Sequence, residues 1–336
     1  MHRIVQIGFL LPLTLPGLTQ IVAQSPSIEP EQPTLSATSR LVIVPTLVQS
    51  RSGALVTNLR TQDFHLTDNG VEQTLLAEQL DRQPLAVVVL MQTGGAAPHQ
   101  FQNYRTFNIL LNALLNTIPD VKIARAPHKV ALVTFDNRLR EIWNFPPRVD
   151  GLKHAFAHPE GGDSGAAILD ALNCGLALLE QQPPSYRRIL VLLSQSKDEH
   201  SQIPAEDLIR RLAASNTTVY SISFTHQPAK PHALPTTLEE ATKAMRENPA
   251  AEAAALSGGE HSALNREDEL EHALATLATD FANTYMLSFH PTAPPTGPQN
   301  GLHTLQVRLA SRSSRHKVKA RTLYWLSPST NQGAGN

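Results

Sequence analysis

The sequence predicts an α/β fold: a doubly wound, mostly parallel six-stranded sheet with one antiparallel edge strand, plus a small β module from the N- and C-terminal flanks. In the middle of the chain, short apolar runs alternate with longer segments whose apolar residues recur three and four positions apart, which is typical of βαβ units. The segments on either side contain only strand-like runs and turns. With 336 residues, 41% hydrophobic and 17% charged, the chain is long enough for one large domain and a smaller module.

The strands of the predicted sheet are continuous apolar runs, as expected for strands that are buried on both faces. Only Asp136, Asn137 and Arg138 separate the second run from the third. Because this gap has the length of a hairpin turn, the third strand is predicted to lie antiparallel at the edge of the sheet. The runs are 85–91, 130–135, 139–143, 188–193, 218–224 and 285–289.

The segments between these runs have helical periodicity. In one of them, Ile168, Leu172, Leu176 and Leu179 form a single apolar stripe, as in a helix that covers a sheet. The predicted helices are 100–117, 166–180, 205–214, 238–255 and 268–283.

The two flanks, 39–83 and 301–327, have the pattern of strands joined by turns. Asp68, Asn69 and Gly70 predict a tight hairpin turn, since Asn and Gly tolerate a positive φ. Neither flank is large enough to bury a core alone. The flanks are therefore predicted to pair with each other beside a central α/β domain, residues 84–290, and residues 328–336 are predicted to be a disordered tail.

The N-terminus has the pattern of a secretory signal peptide over residues 1–23. A basic start at Arg3 precedes an apolar run and a small residue, Ala23, that offers a cleavage site. The run is short for a bilayer and contains prolines, which disfavours the alternative of a retained anchor. Residues 24–38 are predicted to be a linker. We therefore expect export to the periplasm or the extracellular space, with no transmembrane segment after signal removal.

The composition limits which partners the chain is expected to bind and which covalent bonds it can form. Lys and Arg number 28 against 29 Asp and Glu, so no overall charge recruits nucleic acid or an anionic membrane. Cys174 is the only cysteine, which excludes an intramolecular disulfide. The most basic stretch either contacts an anionic polymer or decorates an exposed edge strand. Its residues are Arg308, Arg312, Arg315, Lys317, Lys319 and Arg321.

The order of segments resembles a known family. The alternating βα units that end in GGEHSALNREDELEHAL and ANTYMLSFHP resemble the von Willebrand factor A fold. The flanking segments LVTNLRTQDFHLTDNGVEQTL and LHTLQVRLASRSSRHKVKARTLYW are similar to those of the exported VWFA-related proteins of Acidobacteria. The resemblance covers nearly the whole chain after the signal peptide.

The resemblance implies a metal-ion-dependent adhesion site on three loops at the carboxyl ends of strands. The family's first loop reads Asp-x-Ser-x-Ser, the second supplies a Thr and the third an Asp. Mg²⁺ needs such oxygen ligands and their negative charge. In this chain all five positions have lost that chemistry, so we expect no metal and no cofactor, although a shifted site that uses Asp163 or Asp198 stays open. The five positions are Gln92, Gly94, Ala96, Ala166 and Gln195.

These observations predict a non-enzymatic, metal-independent module for binding or adhesion, whose partner is a protein or a cell-surface polymer. Its ligand face is predicted to comprise Gln92, Thr93, Asp163, Ser164, Gln195 and Asp198. A structural or assembly role in an envelope complex is an alternative.

Two motifs suggest other chemistry. The tetrapeptide Gly162 to Gly165, GDSG, surrounds the nucleophile of trypsin-like proteases, so a serine hydrolase that uses Ser164 is a further alternative. The same residue types before a helix are common caps, which favours the non-enzymatic interpretation. His154 and His158 have a spacing that zinc uses, but Ala155 stands where the metalloprotease motif has Glu.

Overall fold

The computed structural model describes residues 41–76, 83–95, 97, 128–148, 150–224, 234–264, 269–291, 301–310 and 316–326. All of these residues belong to one compact unit, Ser39–Asn336. The predicted signal peptide, linker, helix 100–117 and tail, together with Ala96, lie outside the described residues. Among the helices that are described, none is long and apolar enough to cross a membrane.

The described elements alternate in the predicted way. The strands are β1 (Val42–Ser50), β2 (Phe64–Asp68), β3 (Val71–Gln73), β4 (Leu85–Gln92), β5 (Lys129–Phe135), β6 (Leu139–Trp143), β7 (Arg187–Ser194), β8 (Thr217–Ser223), β9 (His261–Ala263), β10 (Tyr285–Phe289), β11 (Leu302–Leu309), β12 (His316–Ala320) and β13 (Leu323–Trp325). The helices are α1 (Asp150–Ala157), α2 (Ile168–Glu180), α3 (Ala205–Ala214), α4 (Leu238–Glu247), α5 (Pro249–Ser257) and α6 (Glu269–Asn283), besides a short 3₁₀ turn at Thr61–Asp63.

The central sheet has six strands in the order β6-β5-β4-β7-β8-β9. Its strands are parallel except for β6, which pairs antiparallel with β5. This confirms the predicted doubly wound sheet with one antiparallel edge. The order of connection reverses between β4 and β7, and in such sheets ligands bind outside the carboxyl ends of the strands at this switch point.

One strand belongs to a different sheet from the one predicted. The run 285–289 forms β10, but it pairs antiparallel with β1, so that Val44 lies opposite Leu287. The sixth strand of the central sheet is β9, which pairs with β8. The sequence prediction missed β9 because its three residues, His261, Ser262 and Ala263, form no apolar run and are only partly buried.

The predicted helix 238–255 is two helices. Asn248 has φ −151° and ψ 83°, which breaks the helix, and Pro249 begins α5 at the position where proline is favoured. The Asn248 side chain accepts a hydrogen bond from the backbone N–H of Ala251 at 3.0 Å and so caps α5.

The flanks pair with each other in two antiparallel sheets, which confirms the predicted β module. One sheet has the order β10-β1-β12, and the other has the order β13-β11-β2-β3. Leu66, Phe289 and Tyr324 are among the residues that form its core. Because β10 lies within residues 84–290 and yet joins the flanks, the domain boundaries stay a prediction.

Helices cover both faces of the central sheet. Alternate residues of β4, such as Val88 and Val89, enter different core clusters, one of which includes α2 and the other α6. This two-sided burial explains the continuous apolar run. Because both faces of the sheet are covered, polar side chains lie at the carboxyl ends of the strands.

Candidate functional site

Gln92 and Gln195 join the ends of β4 and β7 at the switch point. The Gln92 side chain is fully buried. Its Nε2 donates to Gln195 Oε1 at 3.1 Å and to the carbonyl of Gly94 at 2.9 Å, while its Oε1 accepts from the backbone N–H of Gln195 at 2.8 Å. The Gln195 Nε2 donates to the carbonyl of Lys197 at 2.9 Å. The two amides therefore tie the loops together.

Thr93 turns its hydroxyl toward the neighbouring strand. It is 2% exposed, and its Oγ1 and its backbone N–H both donate to the carbonyl of Phe135, at 3.3 and 2.7 Å. Its own carbonyl accepts from the backbone N–H of Gly162 at 2.9 Å. The loops after β4 and before α2 are thus in direct contact.

Gly94 lies where no side chain fits. A β-carbon at this position would be 1.9 Å from the carbonyl oxygen of Asp163 and 2.6 Å from Cβ of Asp136. Gly162 is also enclosed, since its β-carbon would be 2.7 Å from a carboxylate oxygen of Asp136. The close packing of these loops depends on the two glycines.

A buried carboxylate organises the loops. Asp136, which follows β5, has a fully buried side chain. Its Oδ2 accepts from the backbone N–H of Asp163 at 2.8 Å and its Oδ1 accepts from the backbone N–H of Arg138 at 3.0 Å. Arg140 on β6 forms ion pairs with both Asp136 and Asp163, and the second of these is 2.8 Å long.

The electrostatic environment keeps this carboxylate charged. Burial by itself raises the pKa of Asp136. The hydrogen bonds from Asp163, Arg140 and Arg138, together with the positive charge of Arg140, outweigh burial, so the pKa of Asp136 lies below its ordinary value. An arginine therefore supplies positive charge to the carboxylates at this edge of the sheet.

The structure brings most residues of the predicted ligand face together. Some of them are exposed, whereas others make hydrogen bonds within the protein. Asp163 and Ser164 are exposed. Asp198 instead caps α2: its Oδ1 accepts from the backbone N–H of Leu169 at 3.1 Å and from Ser201 Oγ at 2.6 Å. We use the term loop face for the surface of segments 92–95, 136–140, 162–165 and 195–200.

Ala166 is fully buried and pairs with Glu199 in an isolated antiparallel bridge. The Glu199 backbone N–H donates to the Ala166 carbonyl at 2.8 Å. Ala166 thus joins the segment before α2 to the loop after β7. In contrast to Gln92 and Gln195, it contributes only backbone groups.

Ser164 is exposed, and within the described part of the chain its hydroxyl has no hydrogen bond to a histidine. The ring of His200 instead lies against Gly165, where a β-carbon would be 2.5 Å from its Cδ2. Among the described residues, the geometry therefore pairs Ser164 with no base.

Sequence reasoning missed Asp136 and Arg140. A signal was present, because Asp136 follows a buried run directly and lies in the hairpin turn that the sequence analysis identified. Because that segment was interpreted only as a turn, the Asp136 carboxylate was not considered as part of the site. The role of Arg140 depends on pairing between β5 and β6, which brings a residue four positions away back to the same edge.

A groove adjoins the loop face. It has a volume of about 520 Å³ and opens between the β5–β6 hairpin and the end of α1, with Thr93 at its wall. His154 and His158 both line it, and their ring centroids are 4.9 Å apart. Within the described part of the chain, no group of three or more His, Cys, Asp or Glu side chains is placed to hold a metal ion.

The order of strands and the switch-point loops define this chain as a doubly wound α/β protein with an appended β module. No protein-family model and no curated protein matches its sequence. Among solved structures it is similar to proximal thread matrix protein 1 from the mussel byssus, with a TM-score of 0.42 and 14% identity over 60% of this chain. The match covers 48% of the mussel protein, so this chain spans about half of that protein's length.

Two bacterial structures are also similar. A von Willebrand factor type A protein from Catenulispora acidiphila has a TM-score of 0.42 and 12% identity, with 86% of this chain and 64% of that chain covered. The conserved hypothetical protein BatB from Bacteroides thetaiotaomicron has a TM-score of 0.38 and 13% identity, with 58% and 99% covered. At these identities and TM-scores the likeness carries no argument about what this chain does.

Proposed function

We propose that this protein is an exported, non-enzymatic interaction module that binds a protein or a cell-surface polymer through its loop face without a bridging metal ion. The observation that carries the proposal is the closed hydrogen-bond set of Gln92 and Gln195 at the switch point. Binding there depends on surface complementarity and neutral hydrogen bonds. The periplasm or the extracellular space is the proposed location.

The charge balance of the loop face supports metal independence. A divalent cation requires oxygen ligands that are free to turn toward it and that balance its charge. Gln92 offers a neutral oxygen that already accepts a backbone hydrogen bond, and the carboxylates of Asp136 and Asp163 already face Arg140. The guanidinium occupies the electrostatic role that a metal ion has in the resembled family.

The loops are also assembled in advance. The backbone N–H of Gly162 donates to the Thr93 carbonyl at 2.9 Å and that of Gly95 donates to the Asp163 carbonyl at 3.2 Å, so backbone hydrogen bonds hold the two loops together. A preformed face loses little conformational entropy when it binds, which favours recognition without an organising ion. The same rigidity suits the alternative of a fixed structural component in an envelope complex.

Calorimetry tests metal independence. We expect titration of the purified protein with MgCl₂ or MnCl₂ to give only heats of dilution. Micromolar binding that is abolished by Asp163→Ala or Asp198→Ala would refute the proposal and would establish the shifted site.

Site-specific photo-crosslinking tests the loop face. A benzoylphenylalanine at Ser164 is expected to capture a partner from cell-envelope extract equally well with and without EDTA. The matched control carries the same group at Thr279, which is exposed on α6. Equal capture at both positions, or capture that EDTA abolishes, would contradict the proposal.

The hydrolase alternative has its own readout. We expect a fluorophosphonate probe to leave the protein unlabelled, because Ser164 has no histidine base among the described residues. Labelling that disappears in Ser164→Ala would replace the binding-module proposal with a serine hydrolase.

A further inference from the structure

We propose that the groove beside the loop face binds a sugar unit of a neutral polysaccharide. The inference rests on the proposed function, of which it specifies the partner, because the groove reaches the loop face at Thr93. Its volume of about 520 Å³ lies within the roughly 300 to 1,000 Å³ that small-molecule sites occupy.

The charges that line the groove cancel. Two arginines, Arg138 and Arg140, line the groove together with two glutamates, Glu141 and Glu160. A purely anionic ligand would meet the two glutamates, and a cationic ligand would meet the two arginines. The lining therefore favours a ligand without net charge.

The hydrogen-bonding groups match a polyhydroxylated ligand. The side chain of Arg138 is 65% exposed, and its Nη2 lies 3.5 Å from Asp163 Oδ2, so the guanidinium has donors to offer. Glu160 offers only acceptors, and the exposed ring of His154 provides one of each when it is neutral. Sugar hydroxyls both donate and accept, so they can use every one of these groups.

Trp143 supplies an apolar wall among the polar groups. Its ring rests on Gly151, where a β-carbon would be 2.8 Å from Cζ3, and its Nε1 donates to Glu141 Oε2 at 3.2 Å. These contacts hold the indole in place at low conformational cost. A fixed aromatic surface beside hydrogen-bonding groups suits a pyranose ring, which has an apolar C–H face and a polar rim.

Tryptophan fluorescence tests the inference directly. The chain has two tryptophans, so Trp325→Phe leaves Trp143 as the only emitter. We expect titration of the full chain with maltohexaose, cellohexaose, xylohexaose and mannohexaose to give a saturable change with at least one of them. Polygalacturonate and polylysine are expected to give none.

Variants locate the binding. Arg138→Ala and His154→Ala are expected to weaken the affinity at least tenfold, whereas Arg246→Ala, which removes an exposed arginine on α4, leaves it unchanged. If Trp325→Phe does not fold, retardation of the wild-type chain in gels that contain each neutral polymer gives the same comparison. Binding of only the charged polymers, no binding of any neutral sugar, or binding that Arg138→Ala and His154→Ala leave intact would overturn the inference.

The outcomes separate this inference from the proposed function. Metal-independent crosslinking at Ser164 without any neutral-sugar binding would overturn the sugar site and leave the interaction module standing. Sugar binding in the groove without crosslinking at Ser164 would leave the sugar site standing and would contradict binding of a partner through the loop face.

Discussion

Arg140 contributes the charge on which the loop face depends. It bridges a carboxylate that is fully buried and one that is largely exposed. The buried member, Asp136, would otherwise be a charge in an apolar environment, which is costly unless it is paired. At the scale of single residues, the loop face is therefore an arginine-stabilised arrangement of backbone and carboxylate groups.

Removal of Arg140 is expected to destabilise the fold. Arg140→Met leaves Asp136 with only backbone partners, and we expect a lower free energy of unfolding, measured by urea denaturation at pH 7. Arg138→Met is the control, because its 65% exposed side chain makes only a long contact and is worth less than about 0.5 kcal/mol.

The stability that Arg140→Met loses should depend on pH. The lowered pKa of Asp136 contributes stability that is present above its ordinary value of 3.8 and is lost as the pH falls through the folded-state value. The difference between wild type and Arg140→Met should therefore shrink below pH 3.8. A difference that stays constant from pH 7 to pH 3 would show that the ion pair is not its cause.

Introduction of a serine at Gly94, where the resembled family carries one, is expected to destabilise the loops. Gly94→Ser places a β-carbon against the Asp163 carbonyl, so the loops must separate, and we expect a cost of about 1–3 kcal/mol and no gain of Mg²⁺ affinity. Gly161→Ser is a matched control, because a β-carbon there has no neighbour within 4 Å. Urea denaturation and calorimetry provide the two measurements, and equal stability of the two variants would contradict the packing argument.

At the scale of elements, α2 takes its cap from another loop. Its N-cap residue, Ala167, makes no side-chain cap, and Asp198 from the loop after β7 supplies the acceptor. A carboxylate at a helix N-terminus also interacts favourably with the helix dipole. This contact attaches one loop of the site to the helix that begins at another.

Removal of the Asp198 cap should lower the free energy of unfolding by a modest amount. Asp198→Ala is expected to cost about 0.5–2 kcal/mol in unfolding free energy, measured by urea denaturation, while Asp198→Asn keeps an acceptor and should cost less. An equal loss in both variants would indicate that the negative charge matters more than the hydrogen bond.

At the scale of the whole molecule, Arg321 connects the β module to the central domain. It is 4% exposed, and its guanidinium donates to the carbonyls of Ile43 and Leu323 and to the Asn216 side chain, at 3.0, 2.9 and 3.1 Å. A further bond reaches the carbonyl of Ala213 at the end of α3. The predicted basic surface is therefore interrupted, since Arg321 is buried and Lys319 pairs with Glu260.

The partly buried His261 and the buried Asp280 are expected to have opposite effects on the stability of the molecule in acid. Burial, against the charge of Glu260, lowers the pKa of His261 to about 4, so the unfolded chain binds more protons and stability falls as the pH falls from 6.5 to about 4. Burial and Glu260, against Lys319, raise the pKa of Asp280 to about 6, so stability rises as the pH falls from about 6 to 3.8.

Variants should separate the two contributions. Relative to wild type, His261→Gln is expected to gain stability between pH 7 and pH 4, and Asp280→Asn to lose it, each by at most about 3 kcal/mol. Urea midpoints across this range provide the measurement. Parallel pH profiles of both variants and wild type would contradict the assignment.

The sequence by itself determined the architecture that periodicity encodes. Apolar runs, helical stripes and the short gap at Asp136 predicted the sheet with its antiparallel edge. Because neither flank is large enough to bury a core alone, the sequence also predicted that the two flanks pair with each other. It pointed to Gln92 at the end of a buried strand, and the family resemblance added Gln195 to the candidate site. These features follow from local patterns of burial.

Only the tertiary structure decided which strands share a sheet and how the site is neutralised. The run 285–289 is apolar wherever it pairs, so its pattern does not distinguish β1 from β8 as its neighbour. The pairing of Arg140 with Asp136 and Asp163 depends on three segments that meet only after folding. Periodicity reports that a residue is buried, whereas the identity of its partner is set by long-range packing.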